Sequence, residues 1–197
     1  MCYFSKWSPL QRLTQLNLGL AYTEMYTDSI FWDRISAEFI ETKCILRLEL
    51  GNEKVYERPF VVISNFFWIW AHLGVTRLQI VFLKVSEQII EDEFMKRQLC
   101  LNSEEAFISS FIGHGEAMIN QKSTQIIQFD ENSKISKWTL RINSFDEFHN
   151  STTETNYQDA SMVWGFPKKL LDFLDVALVM SSLLPDASNW KNWLNTY

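Results

Sequence analysis

Acid–base chemistry on a small molecule needs a carboxylate or imidazole beside an apolar pocket and a donor to hold developing negative charge. This chain offers one of each in promising surroundings. Asp28 follows a tyrosine-bearing stretch; in an apolar cavity its proton affinity would rise, which suits a base working near neutrality. His114 lies between Gly113 and Gly115, which allow a bulge or a close backbone approach within a strand-like segment. Tyr22 and Tyr26 are four residues apart and share one face of a helix. Asp28, His114 and Tyr22 are therefore the catalytic candidates. Tyr26, Trp68, Trp70, His72 and Trp138 are the ligand-binding candidates, because aromatic rings give wide apolar contact with a polar handle. Each has a plainer alternative. Asp28 can cap a turn, His72 can sit at the favourable C-terminal end of a helix dipole, and the tryptophans, Trp164 among them, can fill a core or a dimer face.

Other chemistries find little support. The three histidines are not at metal-ligand spacing, and there is no Cys-rich pair, phosphate loop, dinucleotide fingerprint or nucleophile elbow. No metal and no cofactor is expected. The 197 residues carry a net charge of −6, and the longest basic groupings are the pairs Lys96-Arg97 and Lys168-Lys169, which argues against a nucleic-acid partner. Cys2, Cys44 and Cys100 are odd in number and widely spaced, a poor disulfide framework, and Cys44 sits in an apolar run as a small buried hydrophobe. Residues 1–11 lack the apolar run of a signal peptide, so an intracellular, cytoplasmic setting is expected. The apolar stretches Phe60–Thr76 and Leu170–Leu184 are too short or too interrupted to span a membrane.

The elements that must position these groups follow from periodicity. Leu10–Met25 reads as a helix, and Thr27-Asp28-Ser29 breaks it before Phe31-Trp32. Ile40–Arg58 reads as a hairpin turning at Gly51-Asn52. Pro59 opens a nearly apolar helix over Phe60–Leu73, with Gly74 as its cap. Strands follow from Leu78, with a bulge or turn near Ile89-Ile90, then over Phe107–Ile119, Thr124–Phe129 and Ile135–Asn143. Asp130-Glu131-Asn132-Ser133 marks a turn. Asn143–Asp159 reads as a polar loop, and Pro167 opens a last apolar helix.

The run Gln125–Trp138, continued by Thr139-Leu140-Arg141-Ile142-Asn143-Ser144-Phe145-Asp146, resembles the closing strand, turn and last strand of the NTF2-like superfamily, including its SnoaL-like and ketosteroid-isomerase-like branches. Tyr26-Thr27-Asp28-Ser29-Ile30-Phe31-Trp32 is similar to that family's first helix exit, where a tyrosine and an acidic residue precede an aromatic strand. The likeness covers roughly residues 10–148, with Ser133 standing where glycine is usual. It implies an α+β fold: a curved antiparallel sheet wrapped around helices as a cone, here with an added C-terminal helix. Residues 1–150 would form that domain, and residues 151–197 a polar linker and helical extension packed on it. A cone of this kind can serve non-catalytic binding of an apolar small molecule or a protein partner, a homodimer included. It can equally serve an isomerase or lyase with acid/base groups in the cavity, or a structural role if the interior is filled. An open or a filled cone decides among them.

Overall fold

The computed structural model describes residues 8–21, 27–91, 97–113, 117–149 and 161–183. Helix α1 (Pro9–Leu20) begins with a capping box: Ser8 Oγ accepts from the Gln11 amide at 3.2 Å, and the Gln11 side chain accepts from the Ser8 amide at 3.0 Å. Leu13, Leu16 and Leu20, spaced for one helical face, are buried. Helix α2 (Ser29–Phe39) is capped by Asp28, whose carboxylate accepts from the Ile30 amide at 2.9 Å. The aromatic pair Phe31-Trp32 thus opens a helix rather than a strand. Trp32, Ser36 and Phe39 are its buried positions, a helical spacing that prevails over the strand preference of the individual rings.

The hairpin β1 (Ile40–Leu50) and β2 (Lys54–Pro59) leads into α3 (Phe60–His72), which lies against the concave side of the sheet. Val62, Phe66 and Trp70 are buried at four-residue spacing, and Phe67 stacks on Trp32 of α2 at 5.3 Å. Strands β3 (Val75–Phe82) and β4 (Val85–Glu91) pair with successive halves of β5 (Arg97–Ile112). The break falls at Leu83-Lys84, where Lys84 adopts φ 28°, and not at Ile89-Ile90. Strands β5 and β6 (Ala117–Phe129) are separated at Gly113, so the expected single strand over Phe107–Ile119 is two strands. β7 (Ile135–His149) continues past Asn143, where a loop was expected, because β6 is long enough to pair with it as far as Ala117↔His149.

Among the described residues these make a seven-stranded sheet in the order β2-β1-β7-β6-β5-β3, with β4 also on β5. All its ladders are antiparallel except β1 with β7, which is parallel. Extra residues interrupt the register of β5 between Ser103 and Ala106 and of β7 beside Lys122/Ser123, and such bulges bend and twist a sheet. Glu105 at the first of them is held by Lys84 at 3.1 Å and Lys122 at 2.8 Å. The result is a cone-like sheet around α3. Its mouth is closed by the short hairpin β8 (Met162–Val163) and β9 (Phe166–Pro167) and by α4 (Lys168–Leu183), which packs on α3 and β2. Among the described residues no helix is long and apolar enough to cross a membrane.

Candidate functional site

The inside of the cone is built by alternation. On β1, Leu46, Leu48 and Leu50 point inward; on β3, Leu78 and Ile80; on β7, Trp138, Leu140 and Ile142. Against them stand Phe66 and Trp70 of α3, and Phe166 of β9 closes the aromatic group with ring centroids 6.1 Å from Phe66 and 5.1 Å from Trp70. The cavity these residues enclose has a volume of about 30 Å³ and a wall of aliphatic and aromatic side chains. That is room for roughly one water molecule.

Beside this apolar wall runs a buried polar strip on β5 and β6: Ser103, Ser110, Gln121, Ser123 and Gln125 are fully buried. Most of it is internally satisfied. Trp138 Nε1 donates to Gln125 Oε1 at 3.1 Å, Gln125 Nε2 to Ser123 Oγ at 3.1 Å, and Ser123 Oγ to the Ala106 carbonyl at 3.2 Å. Gln121 Nε2 donates to the Trp164 carbonyl at 2.8 Å, tying the strip to the closing hairpin. Trp70 Nε1, Ser110 Oγ and Gln121 Oε1 find no partner among the described residues. None of these residues is a carboxylate or imidazole able to exchange protons near neutrality.

The candidate residues therefore separate. Trp70 and Trp138 line the small cavity together. Trp68 is half-buried on another side of α3, where its Nε1 donates to the Thr27 carbonyl at 3.1 Å. His72 is exposed at the end of α3, its ring 4.4 Å from that of Trp68 and its Nδ1 3.0 Å from the Trp68 carbonyl. Asp28 is exposed and engaged as the α2 cap. Trp164 contacts the hairpin turn at Gly51 and reaches Glu53 with its Nε1 at 3.4 Å. Tyr22, Tyr26 and His114 lie outside the described residues.

Of the closing elements, the last helix after Pro167 was legible in the sequence, while the β8–β9 hairpin and the hold of Arg58 on α4 were not. Arg58, buried on β2, donates from Nε at 2.9 Å and from a terminal nitrogen at 2.7 Å to the Leu174 carbonyl, clasping α4 to the sheet. Burial lowers its proton affinity. Gly165, at φ +76°, lets the hairpin approach so closely that a Cβ there would lie 2.8 Å from Gln121 Cγ. The signal that could have found this was Trp164-Gly165-Phe166-Pro167, a turn-forming glycine between two large aromatics.

The convex face carries a different pattern. Strand pairing aligns Arg77, Phe111, Met118 and Phe148 in one row across β3, β5, β6 and β7, and Val81, Phe107, Lys122 and Ser144 in another. The row between them is Gln79, Ser109, Asn120 and Asp146. The Arg77 guanidinium lies 3.8 Å from the centre of the Phe111 ring, and Phe148 is 52% exposed. Nearer β1, the buried carboxylate of Glu49 is held by Arg47 at 2.7 Å and Arg141 at 2.6 Å.

A helix pair leading into a bulged, curved sheet around an apolar helix is the α+β arrangement that the resemblance implied. The family is shown by sequence: residues 11–152 match the model of the LIM-domain binding protein family, and the chain belongs to that family. No curated protein matches the sequence. Among solved structures it is similar to an NTF2-like protein of unknown function from Exiguobacterium sp. 255-15, at 12% identity over 68% of this chain and 98% of that one, with a TM-score of 0.41. It is similar also to a type 2 hexachlorocyclohexane dehydrochlorinase, at 11% identity over 76% and 99% of the two chains and TM-score 0.41. A third likeness is to AusH from Aspergillus nidulans, at 15% identity over 80% and 92% and TM-score 0.41.

Proposed function

We propose that this chain is a non-catalytic protein-binding module that associates with a second copy through the convex face of its sheet, with the hairpin and helix of residues 161–183 sealing the cone. A sheet wrapped around an apolar helix is compatible with small-molecule binding and catalysis, and its interior decides between those uses. The observation that carries the reading is the little space that the described residues leave between α3 and the sheet: about 30 Å³, lined by apolar side chains, where a ligand pocket measures some hundreds of Å³. The family's description names proteins that bind LIM domains, and the class carried over to this chain is protein binding. The convex face supplies the surface. Its aromatic row ends on an exposed Phe148, and it bears both a cation, Lys122, and an anion, Asp146, as a two-fold self-complementary contact requires.

The test is the light-scattering mass of the purified protein across about two decades of concentration. The expected result is a shift from the 23.3 kDa monomer toward twice that mass, abolished by Met118→Asp with Phe148→Asp. A monomer at every concentration overturns self-association. A tightly retained small molecule in the native mass spectrum of the untreated protein overturns the filled-cone reading.

A further inference from the structure

Strand β7 outruns the neighbour that covers it. β1 accompanies it in parallel only as far as Leu50↔Ile142, where the Gly51 amide donates to the Ile142 carbonyl at 3.0 Å. β7 then continues through Asn143–His149, paired on one side with β6 and with no described strand on the other. Other margins of the sheet are guarded. The Asn17 side chain of α1 binds the free margin of β3 at both Ile80 N–H, at 2.8 Å, and Ile80 C=O, at 2.9 Å, as a strand residue would. Glu87 of β4 accepts from the Leu10 amide of α1 at 3.1 Å, and β2 is clasped to α4. A row of backbone donors and acceptors that no described strand pairs is a template for another extended chain.

The side chains of this segment choose the occupant. Asp146 stands opposite Asn120 and Phe148 opposite Met118 on the convex face, while Glu147 stands opposite Ile119 on the concave side. Both carboxylates are exposed. Among the described residues Glu147 meets the nearby His149 Nε2 at 3.1 Å. Two copies of the segment pairing antiparallel near their centres would set Asp146 and Glu147 against their own copies, and like charges across a strand pair repel. The edge thus disfavours a second copy and favours a basic strand.

We propose that Asn143–His149 accepts an extended peptide as an added antiparallel strand, recognised by an apolar residue followed by two consecutive Lys or Arg residues. The apolar residue meets Phe148, and the two cations, pointing to opposite faces of the sheet, meet Glu147 and Asp146. This rests on the reading of the chain as a protein-binding module; it uses the backbone of the sheet margin, and it shares Asp146 and Phe148 with the convex face.

The probe is a fluorescein-labelled synthetic peptide, Thr-Thr-Ile-Lys-Arg-Val-Thr, read by fluorescence anisotropy and by hydrogen exchange of the protein. Binding should slow exchange of amides within Asn143–His149. The double variant Asp146→Lys with Glu147→Lys should weaken it by about ten-fold or more. Two further peptides, N-methylated on one or the other alternating set of backbone nitrogens, keep every charge. An added strand turns only one set of N–H groups toward β7, so one methylated peptide should lose binding and the other keep it. The methylated pair decides the matter on the unaltered protein even if the double variant does not fold. No binding, equal response to both methylated peptides, or protection confined to another segment overturns the proposal. A dimer that ignores the peptide overturns this inference alone, and a monomer that binds it overturns self-association alone.

Discussion

Glu49 is a buried carboxylate on the convex side of β1, and its neighbours set its titration. The hydrogen bond from Arg47 first, then that from Arg141, hold it below the ordinary carboxylate value against the opposing pull of desolvation. A depressed folded value means that its stabilising contribution is complete above the unfolded-chain value of about 4.3 and is lost as pH falls below that toward the folded value. Glu49→Gln should therefore flatten the acid limb of stability against pH, measured by urea unfolding at a series of pH values; an unchanged limb would show that the ion pair is not the source. Cys44 behaves oppositely. Burial, with a smaller push from Glu41, raises its thiol to about 12. The neutral thiol favours the folded state below the unfolded value of about 8.5, and that contribution is lost as pH rises through the folded value. At about pH 8 a thiol reagent should leave Cys44 untouched until denaturant is added. Its burial was legible from the apolar run around it. The pairing of Glu49 with Arg141 was not, because it depends on β1 lying parallel to β7 with Glu49 opposite Arg141.

At the scale of elements, two short polar residues decide where helices begin and where a strand stops recruiting neighbours. Asp28 caps α2, so Asp28→Asn, which keeps a good capping oxygen, should leave stability nearly unchanged, while Asp28→Ala should cost about 1 kcal/mol by thermal or urea unfolding. A large loss with Asn would mean that the charge itself matters at this position. Asn17 gives its amide to both backbone groups of Ile80, and Asn17→Ala should cost about 2 kcal/mol, since a donor and an acceptor both lose their partner. The helix over residues 60–73 could be read from a proline start, a glycine stop and apolar spacing between them. The α2 helix was missed because Phe and Trp favour strands in isolation, whereas Trp32, Ser36 and Phe39 recur at the spacing of one buried helical face.

Across the whole molecule, the closing hairpin converts a cone with room for a ligand into a packed core. Phe166 is fully buried against Phe66 and Trp70, so Phe166→Ala should cost about 3–5 kcal/mol and leave an apolar hole. That variant, while still folded, should bind benzene, which the unaltered protein should not; calorimetry or a benzene-induced rise in Tm reads the difference. Benzene binding by the unaltered protein would contradict the filled interior.

The sequence by itself determined the class of fold, the apolar central helix, the strand-rich run after it and the resemblance to a cone-forming superfamily, because each rests on short-range periodicity and turn chemistry that a few neighbouring residues express. Only the tertiary structure decided which candidates meet. Trp70 and Trp138 come together inside the cone, while Trp68 and His72 lie on another side and at the end of α3, and Asp28 caps α2. It alone showed how little space the described residues leave inside the cone, and that on the margin away from β6 no described strand pairs with the last half of β7 beyond the end of β1, since both depend on how far β1 and the closing hairpin reach across strands distant in the chain.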